Sequence, residues 1–278
     1  MNRSISRREM LRLGSAGLLG LGLCPGRLFA EPTTASSEEF SFIAVNDLHY
    51  VESACRPWFD HVVKQMKLSA PKAEFCLIGG DLADNGTIGQ LSAIRDAFAN
   101  LGIPVHTVIG NHDHLTDTDR SAYEQIFPGQ INYYFEHGGW QVIGLDSTEG
   151  TKSLDTAISD VTLRWLDDNL PKLDVRKPTI VFTHFPLGQP APIRPRNAEA
   201  VLQRFTHSNV QAIFSGHFHG FTECYRGDAS LTTDRCCSRV RNNHDGTKEK
   251  GWFLCQASGG CLSRQFVELR PDALDGSG

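Results

Sequence analysis

The chain reads as one mixed α/β domain, and three observations predict it. Short apolar runs alternate with amphipathic helical stretches through the first third of the sequence. Five of the apolar runs end in a cluster of aspartate, asparagine or histidine. Hydrophobic residues make up 40% and charged residues 21% of 278 positions, enough apolar material for one large core and too little charge for a disordered chain.

Residues 1–30 carry Arg3, Arg7, Arg8, Arg12 and Arg27 against Glu9 alone. Paired arginines in Ser6-Arg7-Arg8-Glu9-Met10-Leu11 precede an uncharged stretch, Leu13 to Leu23, that is too short and glycine-rich to span a bilayer. The pattern resembles a twin-arginine signal, with Leu28-Phe29-Ala30 as the cleavage site. It predicts use of the twin-arginine export machinery, a periplasmic or extracellular destination and no membrane span after processing. Residues 31–40 read as a linker, 41–270 as the domain and 271–278 as a disordered tail.

Ser41 to Val45 is the first strand and delivers Asn46-Asp47-Leu48-His49. Trp58, Val62, Val63 and Met66 recur at helical spacing up to Pro71. Phe75 to Ile78 is the second strand, followed by Gly79-Gly80-Asp81-Leu82-Ala83-Asp84. Leu91, Ile94, Phe98 and Leu101 mark a helix that Gly102 stops. Pro104 to Ile109 is the third strand and feeds Gly110-Asn111-His112-Asp113-His114. Asn132 to Glu136 and Trp140 to Leu145 flank a Gly-Gly hairpin turn. Ser159 is the N-cap of a helix carrying Leu163, Leu166 and Leu170. Thr179 to Phe182 delivers Thr183-His184. A helix over residues 197–205 precedes the strand Val210 to Phe214, which delivers Ser215-Gly216-His217-Phe218-His219. Trp252 to Ala257 and Gln265 to Leu269 complete the strands, with His244-Asp245-Gly246 as the turn before them.

Without residues 1–30 the chain has 22 basic and 31 acidic residues. Binding to a nucleic-acid polymer rests on Lys and Arg, so that partner is not expected. A small phosphorylated substrate would need a local positive centre, which metal ions can supply. Seven cysteines lie beyond residue 30. Cys76 reads as a buried small hydrophobe, whereas Cys224, Cys236, Cys237, Cys255 and Cys261 invite disulfides in an oxidising compartment. No Cys-x-x-Cys pair is present, which argues against structural zinc and against a dithiol redox protein.

In open α/β sheets, loops at the carboxyl ends of strands form the ligand crevice. The order of the motifs therefore predicts that Asp47, His49, Asp81, Asn111, His184, His217 and His219 converge. Oxygen and imidazole donors without thiolate suit two divalent ions, Mn, Fe or Zn rather than Ca or Mg. Each motif alone is unremarkable: Asp-x-His is a common surface turn, and Gly-His-x-His can be two exposed histidines. His61, His106, His137, His207 and His244 carry no motif weight.

Together, Asp47-x-His49, Gly80-Asp81-x-x-Asp84, Gly110-Asn111-His112-Asp113, His184 and Gly216-His217-x-His219 resemble the calcineurin-like metallophosphoesterase superfamily, and their spacing is most similar to its cyclic-nucleotide-phosphodiesterase-like branch. The resemblance implies a four-layer α/β/β/α sandwich with two mixed sheets, the metallo-dependent phosphatase-like fold, and a phosphoric ester hydrolase. It implies one metal on Asp47, His49, Asp81 and His219 and a second on Asp81, Asn111, His184 and His217, with a bridging hydroxide as nucleophile. It makes Asp84 a carboxylate behind a ligand histidine. His112, adjacent to Asn111 but not itself a ligand, is placed as the proton donor to the leaving oxygen, with Asp113 as its orienting partner. His114, Arg194, Arg196, Arg239 and Arg241 are candidates for contact with a small phosphodiester or phosphomonoester. The polar segment from Cys236 to Gly251 is expected to form one wall of the cleft. A non-catalytic metal-binding scaffold is the alternative, against which the intact ligand set and His112 both argue.

Overall fold

Side chains along a strand alternate between two faces, and this alternation divides the apolar residues into three layers in the computed structural model, which describes residues 38–270. In β1 (Phe40–Val45), Phe42 and Ala44 face one core while Ile43 and Val45 face another. β2 (Ala73–Ile78) repeats the division, with Phe75 and Leu77 on one side and Cys76 and Ile78 on the other. Strands buried on both faces read as continuous apolar runs, as these do.

Two sheets result. The first has the order β11-β10-β1-β2-β3, adding β3 (Val105–Thr107), β10 (Gly251–Ser258) and β11 (Cys261–Glu268). The second has the order β4-β5-β6-β7-β9-β8, from β4 (Tyr133–His137), β5 (Trp140–Leu145), β6 (Thr179–Thr183), β7 (Val210–Ser215), β8 (Thr222–Arg226) and β9 (Ala229–Thr233). β1, β2 and β3 run parallel, as do β5, β6, β7 and β9, while β10 and β11 in the first sheet and β4 and β8 in the second pair antiparallel, so both sheets are mixed. The layer between them is aromatic: Phe42 stacks on Phe75 at 4.8 Å and meets Phe214 of the other sheet edge-on at 6.1 Å. Full burial of one such side chain is worth roughly 1.5–3 kcal/mol.

Helices cover the outer faces. α1 (Arg56–Ser69) has Pro57 in its first turn and buries Phe59, Val62, Val63 and Met66 on the first sheet. α2 (Ile88–Phe98) joins it, capped by Thr87, whose hydroxyl accepts from the Gln90 amide; the chain turns out at Gly102 with φ 75°. α3 (Ser121–Ile126) adds Ala122 and Tyr123 to the same core. α4 (Asp160–Asn169), capped by Ser159, and α5 (Ala198–Arg204) bury Leu166, Val201 and Leu202 on the second sheet. The order helix, sheet, sheet, helix is the sandwich expected.

Several boundaries move. β1 begins at Phe40, inside the expected linker, and β3 keeps only three of six expected residues. α3 and the β8–β9 hairpin were not anticipated. β9 buries Ser230 and Thr232 on one face and Ala229 and Leu231 on the other, so its five buried residues include only two apolar ones and give a weak apolar signal. The hairpin turn at Gly138-Gly139 has φ 53° and 81°, as a two-residue turn of this hand requires. The expected signal segment 1–30, residues 31–37 of the expected linker and residues 271–278 of the expected tail lie outside the described residues. Among those described, no helix is long and apolar enough to cross a membrane.

Candidate metal centre

The polar clusters follow the carboxyl ends of β1, β2, β3, β6 and β7. Thr183 pairs with Ser215, which places His184 beside Gly216, and the Gly216 amide donates to the His184 carbonyl at 2.9 Å. Across the first sheet, the amides of Leu48 and His49 both donate to the Asp81 carbonyl at 2.9 Å. Asp47, His49, Asp81, His217 and His219 all sit in the left-handed backbone region, with φ between 47° and 65°. Among the described residues other than glycine, only Asp155 and Ile193 share that region. Such conformations are rare and concentrate where function over-determines the backbone.

The side chains converge. Donor atoms of Asp47, His49, Asp81 and His219 lie within 4.8 Å of one another, and so do those of Asp81, His184 and His217. Asn111 Oδ1 is 3.1 Å from His184 Nε2 and completes the second group, leaving Asp81 common to both. All seven residues are buried.

Each histidine has one ring nitrogen committed outward to an oxygen acceptor. His49 Nδ1 meets Asp84 Oδ1 at 3.2 Å, His184 Nδ1 the Gly79 carbonyl at 2.9 Å, His217 Nε2 the Ser153 carbonyl at 2.9 Å, and His219 Nδ1 the Asn242 carbonyl at 3.2 Å. These acceptors place N–H outward and the lone pair inward. The inward nitrogens then face each other: His49 Nε2 and His219 Nε2 at 3.1 Å, His184 Nε2 and His217 Nδ1 at 3.2 Å. Two lone pairs at that distance repel unless positive charge lies between them. Electrostatics points the same way. Burial alone would raise the carboxyls of Asp47 and Asp81, yet the neighbouring histidines hold both well below the usual carboxylate range. Burial would lower His184 and His219, but Asp81 and Asp47 lift them to about 9 and about 11. Burial and His184 take His217 down to about 4. The site therefore calls for positive charge, from protons or from cations competing with them. The donor set fits two divalent metal ions.

Asp84 sits behind the ligands as expected, and it holds more than His49. Its Oδ1 accepts from Arg241 Nε at 3.0 Å and from Arg241 Nη2, and its carbonyl accepts from His112 Nδ1 at 2.9 Å. This corrects the role expected of Asp113. The Asp113 carboxylate accepts the amides of Ala83 at 2.8 Å and Gly110 at 2.9 Å, tying two motif loops together instead of orienting His112. Burial and the nearby Asp81 push Asp113 up to about 8, against the two amides. Residues 111–113 form a 3-10 turn, in which successive side chains point about 120° apart, so sequence neighbours diverge. His114, a candidate for substrate contact or for a hydrogen-bonded loop histidine, is the latter: it is buried, bonded to Thr148 Oγ1 at 2.8 Å, and does not line the cleft.

The cleft above the cluster has a volume of about 570 Å³. His49, Asp81, His112, His217 and His219 form its floor, and Val240, Arg241, Asn242 and His244 form the expected wall. Of the candidate arginines, only Arg241 lines it. Arg194 donates to the Leu187 carbonyl at 2.6 Å, Arg196 pairs with Asp155 at 2.6 Å, and Arg239 is exposed elsewhere. His244 was passed over in the sequence; its ring stacks on His219 at 4.9 Å. Cys224, Cys236, Cys237 and Cys255 are free thiols, contrary to the disulfides expected of them. Cys236 and Cys237 instead pin the wall: Cys236 Sγ accepts from Lys250 Nζ at 2.8 Å, and the Cys237 amide donates to the Asn46 carbonyl at 3.1 Å.

Comparison with known proteins follows this geometry. A family model described as calcineurin-like phosphoesterase matches residues 40–221. A probable cyclic nucleotide phosphodiesterase of Synechococcus sp. is 28% identical over 247 residues, covering 84% of this chain and 88% of the relative. A probable glycerophosphodiester phosphodiesterase of Arcobacter nitrofigilis is 29% identical over 119 residues, 42% of this chain and 43% of that one. A purple acid phosphatase from yellow lupin seeds shares the fold, with TM-score 0.66 at 15% identity over 84% of this chain; the match spans about half of the phosphatase, 52%.

Proposed function

Since this chain belongs to the calcineurin-like phosphoesterase family, a family of metal-dependent hydrolases, we propose that it is a two-metal phosphodiesterase for small diesters. The observation that carries this reading is the pair of buried donor groups sharing Asp81 beneath an open cleft. Asp47, His49, Asp81 and His219 would hold one divalent ion, and Asp81, Asn111, His184 and His217 the other. Nitrogen and oxygen donors without thiolate favour Mn, Fe or Zn. Such ions supply Lewis acidity, making a nucleophile of water near neutral pH and neutralising phosphoryl oxygens.

The protein's own groups do the rest. His112 lines the cleft with Nδ1 fixed by the Asp84 carbonyl, which leaves Nε2 to carry a proton to the leaving oxygen. Arg241, held by Asp84, is the one guanidinium on the cleft wall among the described residues and can meet a phosphoryl oxygen. The Arg241–Asp84 pair adds no net charge to the wall, which suits a diester, with one negative charge, better than a dianionic monoester. The names of the two sequence relatives, both diesterases, support the same choice.

His112→Ala is expected to retain bound metal and lose about two to four powers of ten in turnover, read from metal analysis beside steady-state kinetics. The decisive assay offers Mn-, Fe- and Zn-loaded protein an aryl phosphomonoester, an aryl phosphodiester and cyclic nucleotides in parallel. Cleavage of diesters in preference to the monoester is the expected result; no cleavage of any of them would favour the scaffold alternative. We also propose twin-arginine export on the strength of Arg7-Arg8. Retention of precursor in the cytoplasm after Arg7→Lys with Arg8→Lys is the expected outcome in a fractionated host.

A further inference from the structure

The cleft changes character from floor to mouth. Its floor is histidine and carboxylate, but Leu154, Ile193 and Val240 reach its mouth from three separate segments of the chain. Leu154 is 63% exposed and Val240 46%. Exposed large apolar side chains are ordinary when scattered singly, and a cluster beside a cleft is informative.

Ile193 is β-branched yet sits at φ 63°, a conformation such residues rarely adopt. Its loop is held in that shape by its neighbours. Arg194 donates to the Leu187 carbonyl, and the Arg196 amide donates to the Thr156 carbonyl at 2.9 Å. The two arginines that do not reach the cleft thus secure the loop that presents Ile193 to it. On the wall that carries Val240, His244 stacks on His219 with 23° between the ring planes and borders the cleft. A phosphoryl group on the floor would therefore place one of its ester groups among flat and apolar surfaces.

We infer that Leu154, Ile193, Val240 and His244 form a subsite for the retained ester group of the substrate, selecting a flat, weakly polar group over a small or polyol one. The inference rests on the diesterase reading above. In small hydrophobic pockets the presence or absence of even one methylene changes specificity by roughly 10- to 200-fold.

The test uses Mn-loaded full-length protein and three diesters that release the same 4-nitrophenolate. The retained group is phenyl, methyl or glyceryl. The phenyl diester is expected to exceed both others in kcat/KM by about tenfold or more. In Leu154→Ser with Val240→Ser, both exposed positions, that ratio should fall toward one. Val161→Ser, an equally exposed change on α4, should leave it unaltered. Equal kcat/KM for all three diesters, or an undiminished ratio in the double variant, would overturn the subsite while the diesterase reading stood. Hydrolysis of 4-nitrophenyl phosphate with none of the diesters cleaved would overturn both.

Discussion

Removing the Asp113 carboxylate strands two buried amides, those of Ala83 and Gly110, each of which now has its acceptor there. A buried donor left without a partner costs about 1–3 kcal/mol. Asp113→Ala is therefore expected to lose about 2–6 kcal/mol of stability, measured by urea unfolding. An effect confined to the pH profile of turnover would restore the orienting role read from the sequence. Asp84 is the residue that orients, through a carboxylate on His49 and a carbonyl on His112. The seven converging side chains were legible, because each stands in a short motif directly after an apolar run. His244 was not, since its stack on His219 forms only when the segment after β9 folds back over the site.

At the scale of elements, the loops after β2 and β3 touch through a glycine. A Cβ at Gly110 would lie 2.2 Å from both the Asp81 amide nitrogen and Asp81 Oδ1. Gly110→Ala should displace the shared carboxylate and abolish binding of at least one metal, read from metal analysis after loading, with far-UV circular dichroism to confirm the fold. β3 carries a different consequence. His106 stacks on Phe135 at 3.8 Å, and burial, with help from His137, lowers its pKa to about 4. The fold prefers the neutral ring, whereas the unfolded chain takes up a proton near its ordinary value of about 6.5. The His106 contribution is thus complete above that pH and is lost as pH falls toward 4. Melting temperatures from pH 8 to 4.5 should fall less steeply in His106→Phe than in the wild type; parallel curves would exclude His106 as the source.

Over the whole molecule, the centre joins loops from both sheets, so the charge that satisfies it also holds the sandwich at its open end. Chelation should lower the melting temperature, and Mn or Zn should restore it, each occupied site adding about 2.7 kcal/mol of stability at one hundred times its dissociation constant. An unchanged melting temperature with and without chelator would show that the fold does not depend on the cations. By itself the sequence determined the alternation of strands and helices, the strand ends where polar clusters sit and the seven side chains that converge there, because hydrophobic periodicity and short polar motifs are local. It hid the β8–β9 hairpin, in which β9 buries serine and threonine beside only two apolar residues, Ala229 and Leu231. Only the tertiary structure decided which acceptor fixes each imidazole, that Asp113 ties loops together while Asp84 orients, and that one arginine of four reaches the cleft. Those outcomes depend on where distant segments meet and which hydrogen bonds they leave to be filled, and contacts of that kind have no period along the chain.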